Sequence, residues 1–184
     1  DDYRSAQAMQ LTVVVHHAAQ IDWLIEANLY KTMDVYLKMN TGMNRVGFAP
    51  DAYAAAHARL RKLPNIGQIT LMTHFANADL PDGVQQPMAI FNRTVAPILA
   101  EHPDNQRSCS NSAATLAHPE AHFDWVRPGI MTYGGTPFGD KTAAECGLQA
   151  AMTLESELIA TQSIKKGDAV GYGSRFIADA DMRI

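Results

Sequence analysis

A chain of 184 residues with 47% hydrophobic and 18% charged residues is long enough for one globular domain and a fraction of another. Its 15 Lys and Arg against 19 Asp and Glu give a net charge of −4, which leaves no electrostatic footprint for nucleic acid. No apolar run reaches membrane-spanning length and no charged-then-apolar leader opens the chain. Two cysteines without metal spacing fit a reduced, cytoplasmic protein. In chain order, residues 1–10 are polar and helix-compatible. Leu11 to His17 (LTVVVHH) is a β-branched run that reads as a buried parallel strand. Ala18 to Asn28 has the apolar spacing of a helix through Ile21, Leu24 and Ile25. Met33 to Asn40 is a second strand, and Pro50 to Leu63 a helix with proline in its first turn. Ile66 to Phe75 is a third strand and Gln85 to Ala100 another helix. Two short strands complete the set, in the stretches Ser108–Leu116 and Phe123–Gly134.

Strands alternating with helices predict a parallel sheet with helical crossovers and roughly five strands. From about Gly147 the style changes. Leu148 to Ile159 partly alternates, Lys165-Lys166-Gly167-Asp168 is a turn, and Val170–Gly173 and Arg175–Ile177 read as short antiparallel strands. The expected division is an α/β domain over 1–140 and the beginning of an all-β domain over 141–184.

The last two α/β strands carry the first chemical signal. Ser112 and Gly129 are expected where strands give way to loops. A small hydroxyl and a bare glycine N–H at adjacent strand ends can wrap a phosphate, and glycine lets the backbone come close. In a (β/α)8 barrel the loops after strands seven and eight are a frequent phosphate site. Arg127, just inside the strand, could reach a ring attached to the same phosphate. Taken singly, S-N-S is a loop and R-P-G a turn. Lys38 would end a strand pointing inward, where a buried ammonium tends to lose its charge or find a partner. His118, Glu120 and His122 resemble a metal trio, but Pro119 and the loop context favour a surface turn.

The segments SNSAATL, HPEAHFDWVRPGI, LKMNTGMNRVGF and THFANAD resemble those of alanine racemases, pyridoxal-phosphate enzymes of fold type III, the catabolic type in particular. The resemblance covers essentially the whole chain. It implies the last five or so strands of a (β/α)8 TIM barrel followed by the start of an all-β C-terminal domain. Five strands cannot close a barrel, which needs eight and typically ~250 residues. Apolar inward faces and two raw sheet edges are therefore expected.

By the same resemblance, His74 stacks on the pyridine ring of pyridoxal 5′-phosphate and Arg127 faces its nitrogen. Ser112, Gly129 and Ile130 hold the phosphate, with Asn111 beside them. Arg45 contacts the cofactor's phenolic oxygen and positions the substrate carboxylate, and Lys38 matches a lysine that is carbamylated in many members. Ser108 departs from relatives that carry a histidine supporting the arginine, which leaves the support of Arg127 open. Two groups are missing. The Schiff-base lysine lies in a VKADAYGHG stretch and the catalytic tyrosine in a GYADGYPR stretch, and neither occurs here. Tyr172 in VGYG is not that tyrosine. The resemblance therefore implies a fragment of a cytoplasmic, homodimeric enzyme that interconverts L- and D-alanine by two bases, for D-alanine supply or alanine catabolism. The fragment itself is expected to be inactive. A broad-spectrum amino acid racemase, another fold-type-III enzyme, and an inert phosphate-binding half-barrel remain as alternatives.

Overall fold

Two compact units, Asp1–Ala151 and Met152–Ile184, divide the chain in a computed structural model that describes residues 2–184. The first unit runs α1 (Asp2–Ala8), β1 (Val13–Val15), α2 (Ala18–Glu26), β2 (Met33–Lys38), α3 (Pro50–Arg61), β3 (Ile66–Met72), α4 (Gln85–Glu101), β4 (Gln106–Ser108) and α5 (Ser112–Ala117). The four strands pair in chain order, all parallel. This is the α/β arrangement that the alternating pattern predicts.

Local chemistry fixes the helix starts. At α2, the His17 ring accepts from the Ala19 N–H (3.2 Å), and the Gln20 side chain accepts from the N–H groups of His16 (2.7 Å) and His17 (3.1 Å). Donors that a helix start leaves unpaired are thereby satisfied. Pro50 opens α3, where its missing N–H costs nothing.

The two-residue alternation of the strands sorts their faces. Val15, Val35, Leu37, Ile69 and Leu71 join Ile21, Leu24, Tyr53, Leu60, Phe91 and Val95 in the core between sheet and helices. The buried Tyr53 hydroxyl donates to the Leu37 carbonyl (2.7 Å), which ties α3 to the end of β2. The opposite face carries two register rows, Val14–Tyr36–Thr70–Gln106 and, nearer the C-terminal ends, Lys38–Met72–Ser108. Val14 on that face is 39% exposed, unusual for a parallel strand.

Three expectations need correction. The fifth strand is reduced to a single parallel bridge between Ser108 and Trp125. Arg127 still donates its N–H to the Ser110 carbonyl (2.9 Å), but Pro128 has no N–H, and Ile130–Tyr133 coils into a 3-10 turn. Ser112 does not end a strand. It is the first residue of α5, whose cap is Asn111: its side-chain oxygen accepts from the Ala114 N–H (3.1 Å). Residues 148–159 form no strand, and Leu154, Leu158 and Ile159 lie exposed.

The second unit holds β5 (Ser163–Ile164) paired with β8 (Met182–Arg183), and β6 (Ala169–Val170) paired with β7 (Phe176–Ile177), both antiparallel. Its first turn is the one expected at 165–168, with Gly167 at φ 92°. Among the described residues, no helix is long and apolar enough to cross a membrane.

Candidate functional site

The segments leaving the C-terminal ends of β3 and β4, with residues from 127 to 137, line one hollow, and the loop leaving β2 is joined to the end of β3. Beyond Lys38 the chain loops out and returns. The Asn40 N–H donates to the Phe48 carbonyl and the Phe48 N–H to the Lys38 carbonyl, both at 2.9 Å. Inside the loop the Asn40 side-chain oxygen accepts from the N–H groups of Gly42 (3.1 Å) and Asn44 (3.0 Å), and its amide donates to the Asn44 side chain (2.9 Å). Asparagine tolerates the left-handed backbone that Asn44 adopts at φ 56°. Gly47, at φ 134°, has no such latitude, because a Cβ there would fall 2.7 Å from the Asn40 nitrogen. The loop presents Arg45, which is exposed and has no hydrogen-bond or ion-pair partner among the described residues.

β3 delivers Thr73 and His74. The His74 imidazole is pushed down from 6.5 to about 4, chiefly by burial and then by the charges of Arg127, Lys38 and Arg45, so it is neutral at neutral pH. One ring nitrogen lies 3.4 Å from the Arg127 guanidinium. β4 delivers Cys109, whose thiol burial pushes up to about 12, leaving it chemically inert. Asn111 donates its amide to the Phe75 carbonyl (3.1 Å), which ties the end of β4 to the end of β3.

Arg127 is held by neutral oxygens. Its guanidinium donates to the Ser108 hydroxyl (2.5 Å) and to the carbonyls of Thr73 (2.8 Å) and Cys109 (3.3 Å). The Ser108 hydroxyl in turn donates to the Trp125 carbonyl (3.0 Å). The support of Arg127, open from sequence, is therefore a hydroxyl and two carbonyls. Backbone carbonyls carry no sequence signal, which is why this clamp was not legible. Ser112 accepts on its hydroxyl oxygen from the N–H groups of Gly129 (2.8 Å) and Met131 (3.4 Å).

A hollow of about 380 Å3 lies among these groups. His74, Asn111, Ser112, Arg127, Gly129 and Ile130 line it, with Asp79 adding a carboxylate. Lys38 and Arg45 are not in its wall. Lys38 is 6% exposed, and burial, Arg45 and Arg127 together push its ammonium below the usual range. Lys38, Arg45 and Arg127 all raise the positive potential at His74, and none of the three forms an ion pair among the described residues. The field there favours an anionic ligand.

The histidines near 120 have other partners. His118 uses one ring nitrogen toward Glu120 (3.2 Å) and the other toward the Ala78 carbonyl (3.1 Å), and His122 bonds the Thr115 carbonyl (2.9 Å). Tyr172 lies in the second unit, fully exposed.

The family model described as "Alanine racemase, N-terminal domain" matches residues 1–137. The chain belongs to this family. An alanine racemase of Burkholderia mallei is 54% identical over 95% of the chain, and a catabolic alanine racemase of Klebsiella aerogenes 44% identical over 100% of it. The crystal structure of the biosynthetic alanine racemase of Pseudomonas aeruginosa superposes with a TM-score of 0.76 at 41% identity, covering 99% of the chain and 50% of that protein. The chain spans about half the length of the relatives it matches, 48% and 51% of the two racemases named. The likeness runs along essentially the whole chain, as the resemblance implies.

Proposed function

We propose that this chain is the cofactor-holding part of an alanine racemase, and that the site holds pyridoxal 5′-phosphate. Convergence of His74, Ser112, Arg127, Gly129 and Ile130 on one hollow carries this reading. The donor set fits the group. Among the described residues, the only atom near the open side of Gly129 is the Ser112 oxygen, 3.9 Å from where a Cβ would stand, which leaves room beside the two for a phosphate. When bound, pyridoxal phosphate supplies the electron sink that makes the Cα proton of an amino acid removable. Arg127, always protonated, would donate to the ring nitrogen without protonating it, which weakens that sink and favours return of the proton over side reactions. His74, neutral and flat, would cover one ring face. Arg45 would take the substrate carboxylate, since its guanidinium is unpaired and carried on a pre-formed loop. Lys38, with an ammonium destabilised by burial and then by two arginines, would react as a free amine with carbon dioxide, a new N–C bond forming as the nitrogen gives its proton to solvent, and the carbamate anion would offset the excess of positive charge.

The four parallel strands are on this reading part of a (β/α)8 barrel, with 141–184 opening an all-β domain. The enzyme would be a cytoplasmic homodimer interconverting L- and D-alanine. Its two proton-handling bases lie outside the residues of this chain. Titration with pyridoxal phosphate, followed by ring absorbance, tests the site. Binding that inorganic phosphate displaces supports it, whereas saturation unaffected by phosphate, or no binding at all, sinks it.

A further inference from the structure

Two buried threonines lie between the Arg45 loop and the Arg127 clamp, and the reading above gives neither a part. Thr41 and Thr73 face each other with hydroxyl oxygens 2.7 Å apart and are 5% and 0% exposed. The β2–β3 ladder has its last register pair at Lys38 and Met72, and Met39 adds one more backbone bond, its N–H donating to the Met72 carbonyl (2.7 Å). Beyond that point the Thr73 N–H turns away to the Ser108 carbonyl (3.2 Å). The Thr73 hydroxyl donates instead to the Met39 carbonyl (3.1 Å). A hydroxyl has a single proton, so the proton between the two threonines belongs to Thr41, and the chain runs Thr41 to Thr73 to Met39. Side chains therefore carry the strand-to-strand link past the end of the ladder. Thr73 also accepts Arg127 on its carbonyl (2.8 Å), so one residue touches both arginine-bearing segments.

We infer that Thr41 and Thr73 are positioning residues that lock the loop bearing Arg45 onto the strand end that holds Arg127. This fixes the distance between the two guanidinium groups and so the seat of the substrate carboxylate. The inference rests on the racemase reading for what the loop positions, though not for the lock itself. Asn40 stiffens the loop internally, and Thr41 is the side chain that fastens it to β3. Without the Thr41 hydroxyl the buried Thr73 oxygen loses its donor, and the loop loses its side-chain link to β3. Isosteric removal of the Thr41 hydroxyl should therefore loosen the loop without emptying volume.

The test is made on the enzyme at the full length of its relatives, with residues 1–184 as they stand here. Thr41→Val is expected to raise the KM for alanine about tenfold, with a smaller change in kcat and in cofactor affinity, and Thr41→Ser to restore it. In an Arg45→Lys background the same Thr41→Val change should cost less than threefold, because Thr41 acts through Arg45. Amide exchange at residues 41–46 should quicken at least tenfold in Thr41→Val while that of β2 stays unchanged. A wild-type enzyme inert on alanine would sink the racemase reading alone, and amide exchange then decides the lock. Unchanged exchange in the loop, or an equal KM penalty with and without Arg45, overturns the proposal. Loss of melting temperature with KM unmoved does so as well.

Discussion

Arg127 and Ser112 are the side chains on which the hollow depends, and each has a separable physical role. Ser112 lines the hollow and accepts from the N–H groups of Gly129 and Met131. Ser112→Ala removes one charge-assisted contact to a bound phosphate, worth ~1.5–3 kcal/mol, so affinity for pyridoxal phosphate should fall roughly ten- to hundredfold in a spectroscopic titration. A change under twofold would remove Ser112 from the phosphate cradle. Arg127 acts on its neighbour through its charge. It is the first of the charged groups that hold the His74 imidazole down at about 4, after burial. Arg127→Met should therefore raise the His74 pKa toward its ordinary value, read from the imidazole proton shift during an NMR titration. A fall would mean that the guanidinium and the imidazole are not coupled as their 3.4 Å separation implies.

At the scale of elements, the loop after β2 is built from backbone constraints. Asn40 makes three bonds inside it, Asn44 accepts a left-handed backbone, and Phe48 closes its base beside Met39. Gly47 permits the closure, because any Cβ would strike the backbone of Met39 and Asn40. Gly47→Ala should cost ~1–3 kcal/mol from the φ strain, with the steric conflict adding to it, and lower the melting temperature by several degrees. A variant as stable as wild type would show that the loop has room to rearrange. The same element explains why Arg45 needs no partner to be placed: the backbone around it is over-determined.

At the scale of the whole molecule, acid should be more damaging than the net charge suggests. His57 and His74 are both pushed from 6.5 down to about 4, with burial the larger cause in each. Between those values the unfolded chain binds protons that the folded chain refuses. The stability contribution is therefore complete above about pH 6.5 and is lost as the pH falls toward 4. Urea midpoints measured from pH 7.5 to 4.5 should fall steadily, and a flat profile would contradict the burial of both rings. The sheet has its own consequence. β1 has one paired side only, and Val14 and Leu11 lie exposed near it. Such an edge invites pairing with another chain. The 184-residue chain by itself should associate in a concentration-dependent way in sedimentation and should bind pyridoxal phosphate without racemising alanine. A sharply melting monomer, or turnover above background in a coupled D-alanine assay, would count against this.

The alternation of strands and helices and their parallel pairing were determined by the sequence itself. The β-branched run at Val13–Val15 and Pro50 at a helix start are local signals, set by propensity and by a missing N–H. Tertiary structure decided what depends on groups the sequence does not distinguish. The fifth strand shrank to one bridge because Pro128 cannot extend a ladder, and Ser112 opens a helix because Asn111 caps it. Arg127 is gripped by the carbonyls of Thr73 and Cys109, and Thr41 meets Thr73 across a gap of 32 residues in the chain. Every residue has a carbonyl, and threonines are common. Only the convergence of three strand ends selects which of them meet.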